Sequence, residues 1–181
     1  MLPMNLPSRA GGALVHVVVD TPKGSPNKYK FDVELQIFKL SRVLPLGTHF
    51  PFDFGFIPST AAEDGDALDV ILIVDAPSFV GCLMSVRLIG VVTAEQREQR
   101  RTIRNDRLVA VPVTPVNKPK IRRIDELPAQ KLKEIESFFI NYNKLQGRQF
   151  TPLGRRGPQA AERLLRAGIR RAQRETQSRP R

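Results

Sequence analysis

Residues 62–74 read AEDGDALDVILIV. The continuous apolar content of Leu68 to Val74 marks a buried β-strand. Asp64, Asp66 and Asp69 stand in a turn that leads directly into it. Gly65 permits a tight path there, and the strand fixes the base of the turn, so these carboxylates can converge on a hard divalent cation. The pattern is not an EF-hand loop, because Leu68 holds the third ligand position and the required Gly and closing Glu are missing. Taken alone, a D-G-D-x-x-D turn reads as a solvated acidic loop.

Working outward, the charge around this turn is one-sided. No Lys or Arg occurs from Val43 to Val86, yet Asp53, Glu63, Asp64, Asp66, Asp69 and Asp75 all fall there. Such carboxylates repel one another unless distant Lys and Arg or a hard cation compensates them. The C-terminal end is the reverse. Residues 148–181 hold ten Arg against Glu162 and Glu175, which is +8 of the chain's +11, and residues 1–147 carry the remaining +3.

The 181 residues suit one domain with a hydrophobic core. Strand-like segments precede the acidic turn at Ala13–Asp20 and in two pieces between Asn27 and Arg42. They follow it at Leu83–Val92 and Arg107–Val113. Helices come late. Asp125 is the expected cap of a helix from about Glu126 to Gln146, whose apolar face holds Leu132, Ile135, Phe138, Phe139, Tyr142 and Leu145. Gly147 is its expected stop. A second helix starts at Pro158 and packs Ala161, Leu164, Leu165 and Ile169. The order predicts a mainly β fold with flanking α, a small closed barrel with two C-terminal helices. Residues 1–12 read as a flexible N-terminus, 13–169 as the barrel domain with its helices, and 170–181 as a basic, disordered tail.

Several classes are disfavoured. No apolar run approaches the roughly 20 residues of a membrane span, and Met1–Gly12 does not read as a secretory signal. The single Cys82 rules out an internal disulfide and reads as a buried, inert thiol. No P-loop occurs. A nucleic-acid partner is not expected, because few aromatics interleave with basic residues and the acidic stretch repels phosphates. A cytoplasmic location fits this composition.

The turn does not stand alone. Asp20, Lys28-Tyr29-Lys30, Arg42 and FPFDFGFIPST precede it, and RLIGVV, RLVAVPV and the FFINYNKLQG helix follow. In this order, from Leu14 to Gly147, the chain resembles the soluble inorganic pyrophosphatases, and it is identified as a divergent member. The resemblance implies an OB-like five-stranded closed barrel flanked by helices, Mg2+ as cofactor, pyrophosphate and phosphate as ligands, and a homo-oligomer, often a hexamer in bacterial members. Matched position by position, it implies that Asp64 and Asp69 bind metal and that Asp66 lies beside the attacking water, also near metal. Asp20 stands where the family has a Glu that holds metal-bound water. Lys28 and Arg42 match phosphate-gripping cations, Arg107 replaces a phosphate-binding Lys, and Tyr142 matches a phosphate-contacting tyrosine.

The departures concern the site. Lys30 replaces a carboxylate that helps to hold metal, and it either faces solvent or supplies positive charge near substrate. Phe50 and Phe54 replace tyrosines, and Asn143 replaces a Lys. The family brings two acidic ligands on the loop before LVAVP, where this chain has EQREQRRTIRNDR. Asn105 stands at the second ligand position with Asp106 one residue out of register, and Glu95 or Glu98 are candidates for the first. These changes predict Mg2+-dependent hydrolysis of pyrophosphate with fewer, weaker ions and reduced activity. The alternative is a catalytically inactive relative that acts as an anion-binding or regulatory partner.

Overall fold

A computed structural model describes residues 3–99, 101–116 and 118–178. In chain order the strands are β1 (Arg9–Gly11), β2 (Leu14–Thr21), β3 (Asn27–Asp32), β4 (Ile37–Val43), β5 (Asp53–Ile57), β6 (Leu68–Leu72), β7 (Leu83–Glu98), β8 (Arg101–Arg104), β9 (Arg107–Pro112) and β10 (Gln149–Arg156). Helix α1 (Ala129–Lys144) precedes β10, and α2 (Pro158–Ser178) follows it. Strands β2, β5, β6, β9 and β7 pair in that order, and β7 pairs back onto β2, which closes five strands into a ring. The mainly β, five-stranded closed architecture with two C-terminal helices is as expected. Strands β3 and β4 form a separate hairpin.

The apolar runs are continuous because both faces of the ring strands are covered. In β6, Ile71 joins one core cluster while Val70 and Leu72 join another. In β9, Val109 and Val111 divide from Leu108 and Ala110 in the same way. The first cluster takes in Leu132, Ile135 and Phe139 of α1, and the second takes in Ala161 and Leu165 of α2. Each helix therefore seals one of the two faces.

Four boundaries differ from the sequence reading. The N-terminus is ordered from Pro3: Met4 and Leu6 pack beside Val18, Phe31 and Phe56, and β1 pairs with β2. Residues 170–178 continue α2 instead of fraying, because Arg171 Nη1 donates to Ala61 O at 2.8 Å and ties this turn to the body. Residues 1–2 and 179–181 lie outside the described residues. Pro128 occupies the N-cap position of α1 with no side-chain capping bond, and Asp125 instead sits in a 3-10 turn and pairs with Arg123 at 3.0 Å. The Arg-rich loop is a hairpin, since β7 runs on to Glu98 and pairs with β8.

Asp53 is fully buried and accepts from Lys23 N at 2.6 Å, Ser78 N at 3.1 Å and Ser78 Oγ at 2.5 Å. Asp53→Ala strands these donors, and urea unfolding is expected to show a loss of about 3 kcal/mol.

Candidate active site

The predicted residues come from seven places in the fold. Asp20 lies near the end of β2, Lys28 and Lys30 on β3, and Arg42 on β4. Asp64 and Asp66 occupy the turn before β6, Asp69 lies on β6, Arg107 opens β9, and Tyr142 lies on α1. The turn forms because Gly65 adopts φ +86° and Asp64 Oδ1 accepts from Asp66 N at 3.1 Å. Thr60 Oγ1 accepts from Leu68 N at 3.0 Å and anchors the start of β6.

Arg107 is the hub of the group. Its side chain is 17 % exposed and forms an ion pair with Asp69. The guanidinium lies 5.4 Å from the centroid of the Phe139 ring. Burial pushes its pKa down to about 10, opposed by Asp64, Tyr142, Asp20 and Asp66, so it remains a cation at neutral pH. Its Nε is buried with no hydrogen-bond partner.

Asp20 is 8 % exposed, and its Oδ1 is likewise buried and unpartnered. Burial raises its pKa, while Lys28, the Thr21 hydroxyl, Arg107 and Lys30 oppose the rise. Lys30 Nζ holds both Asp66 oxygens, at 2.8 and 2.9 Å. Lys28 Nζ stands 5.7 Å from the centroid of the Tyr142 ring. Phe50 and Phe54 pack edge-on at 5.1 Å, and Phe50 lies 5.7 Å from Tyr142, so the two residues read as tyrosine replacements form the apolar wall behind that ring. Arg42 is exposed and joins the group only as the cross-strand neighbour of Lys28.

The altered loop supplies no free acid through its two central candidates. Asp106 Oδ1 accepts from Ala94 N at 3.0 Å and pairs with Arg104 at 2.8 Å, which pins the hairpin. Asn105 Nδ2 donates to Gln96 Oε1 at 2.6 Å. Glu98 pairs with Arg148 at 3.1 Å. Glu63, Asp64, Glu98, Arg101 and Arg104 line a cavity of about 490 Å³ between the acidic turn and this hairpin. The contact of Arg107 with Phe139 was not legible in the sequence, because it joins a strand to a distant helix and leaves no local signal.

Four carboxylates, three Lys or Arg and a tyrosine thus gather from distant strands, with two buried polar atoms left without partners. Buried polar groups are normally satisfied, and exceptions concentrate at functional sites. A balanced set of this kind suits a small, highly charged anion handled together with cations.

Comparison with known proteins gives the family. Residues 17–173 match the family model described as inorganic pyrophosphatase. The inorganic pyrophosphatase of Geobacillus stearothermophilus is 39 % identical over 153 residues, covering 84 % of this chain and 90 % of the relative. That of Synechocystis is 35 % identical over 149 residues, 82 % of this chain and 86 % of the relative. The crystal structure of the Thermus thermophilus inorganic pyrophosphatase superposes with a TM-score of 0.87 at 33 % identity, covering 96 % of this chain and 99 % of that one. These similarities define a phosphoanhydride hydrolase. The chain belongs to the inorganic pyrophosphatase family.

Proposed function

We propose that the chain hydrolyses inorganic pyrophosphate to two phosphates with Mg2+ at the acidic turn, at a rate lowered by its replaced residues. The observation that carries this reading is the pair of buried, unpartnered atoms, Asp20 Oδ1 and Arg107 Nε, whose side chains interact with each other and with Lys28, Asp64 and Asp66.

The donor chemistry fits a hard cation, since every candidate ligand is a carboxylate. Asp64, Asp69, Asp66 and Asp20 are the residues that would hold it. When bound, the ion offsets substrate charge and acidifies a water molecule. Among the described residues no three acidic, His or Cys side chains are grouped to hold a metal ion. Asp66 and Asp69 are engaged by Lys30 and Arg107. Those engagements support fewer and weaker ions than an all-carboxylate site binds.

Asp66 orients the attacking water and receives its proton. Lys28, Arg42 and Arg107 grip phosphate oxygens, and Lys30 adds positive charge next to Asp66. Tyr142 donates a hydrogen bond from its hydroxyl to a phosphate oxygen. In-line attack forms one P–O bond while the bridging P–O bond breaks, and the departing phosphate leaves with its charge held by these cations.

Two further properties belong to this proposal. The protein works in the cytoplasm, a reading supported by its single cysteine. It forms a homo-oligomer, with the hexamer as the expected form. Exposed Val33, Leu35, Ile37, Leu40, Val43 and Leu46, on and beside the β3–β4 hairpin, support a subunit contact.

The test is phosphate release from pyrophosphate with and without Mg2+, alongside calorimetric titration of Mg2+. Mg2+-dependent release and one or two weakly bound ions are expected. No release under any condition, or a tight set of three or four ions, overturns the corresponding part of the reading.

A further inference from the structure

Helix α2 carries a basic ridge that the candidate active site does not use. Arg163, Arg166, Arg170 and Arg174 are all exposed. Their spacing of three, four and four residues keeps them on one helical face. At about 1.5 Å per residue the ridge is about 16 Å long. The opposite face is committed to the body, with Ala161 and Leu165 fully buried and Leu164 and Ile169 packed beside them. Arg166 shares Glu162 with Arg9. Among the described residues, Arg163, Arg170 and Arg174 have no acidic partner. Arg170, Arg171 and Arg174 line a shallow cavity of about 310 Å³ with Ala167.

Arg170 and Arg174, which read as part of a disordered tail, therefore continue the helical row begun by Arg163 and Arg166. Like charges three and four residues apart destabilise a helix, and three of these four have no ion-pair partner among the described residues. Although the composition predicts no nucleic-acid partner, we infer that this face of α2, remote in sequence from the acidic stretch, binds the phosphodiester backbone of a nucleic-acid duplex. A straight row of arginines matches a linear polyanion, and the planar guanidinium is suited to phosphate. Residues 158–178 contain no aromatic side chain, so there is nothing on which unpaired bases can stack, whereas a duplex presents its phosphates outward. The buried apolar face leaves nothing to insert into a bilayer. Nucleotidyl transfer on a duplex releases pyrophosphate, so this surface joins the hydrolase to the class of reaction that supplies its substrate.

The test is fluorescence anisotropy of the full chain with a labelled DNA duplex of about 24 base pairs, between roughly 50 and 200 mM salt. Binding that weakens steeply with salt is expected. The triple variant Arg163→Gln, Arg170→Gln, Arg174→Gln is expected to bind at least about tenfold more weakly at low salt, with a log–log slope flatter by about 2 to 3. Its phosphate release and circular dichroism stay unchanged, because Gln is nearly as good a helix former as Arg. A second variant with the same charge loss elsewhere, Lys118→Gln, Lys120→Gln, Lys133→Gln, retains duplex binding. The inference is overturned by no duplex binding, by equal losses in the two variants, or by tighter binding to single strands or to anionic phospholipid vesicles. None of these outcomes depends on hydrolysis.

Discussion

Asp66→Asn is expected to lower phosphate release from pyrophosphate by about 10²- to 10⁴-fold, the range lost with a positioned general base. Asn keeps the size of the side chain but neither takes a proton nor balances the ammonium of Lys30, which contacts both Asp66 oxygens. Asp66 is exposed and adds nothing to the core, so circular dichroism and the unfolding midpoint should match those of the parent chain. Initial rates at saturating Mg2+ check the expectation. A variant within threefold of the parent rate removes Asp66 from proton transfer, and the general-base role then passes to another carboxylate of the turn.

The second large effect is structural. A methyl group at Gly55 lies 2.3 Å from Val18 O and 2.8 Å from Val17 Cγ1. Gly55 is in the middle of β5, paired with Val19 on one side and Val70 on the other, so neither neighbouring strand can give way. Gly55→Ala is expected to destabilise the chain by about 3 kcal/mol or more, the upper range of overpacking, read as a drop in the urea midpoint. Gly65→Ala is the comparison. That position has φ +86° with nothing within 4 Å of the added methyl, so it carries backbone strain alone, about 1 to 2 kcal/mol. Equal losses at the two sites would show that the Val17–Val18 contact does not govern the closing of the ring.

Legibility followed the range of the interactions. The strands β2, β6 and β9 were readable because continuous apolar runs record burial on both faces. β10 was missed: QFTPLGRR has one buried residue, Phe150, and forms only because β7 offers its edge. The ordered N-terminus and the last turns of α2 were missed for the same reason, since Arg9 is held by Glu162 and Arg171 by Ala61. Neither contact leaves a mark in the neighbouring sequence.

The candidate site divides in the same way. The acidic turn with Asp64, Asp66 and Asp69 stands out in the sequence by itself, whereas Lys28, Arg107 and Tyr142 are singled out only by the family resemblance, and their roles belong to the proposal. Asp106, expected one residue out of register, has its carboxylate engaged by Ala94 N and Arg104, contacts that the local sequence does not announce.

By itself, then, the chain's order of residues determined the strands buried on both faces, the acidic turn and the supply of carboxylates and cations. Closure of the ring decided which of them meet. It set Lys30 on Asp66, Arg107 on Asp69 and Phe139, and left Asp20 Oδ1 without a partner. Periodicity and turn chemistry act over a few residues, whereas an ion pair depends on distances that exist only after distant strands have paired.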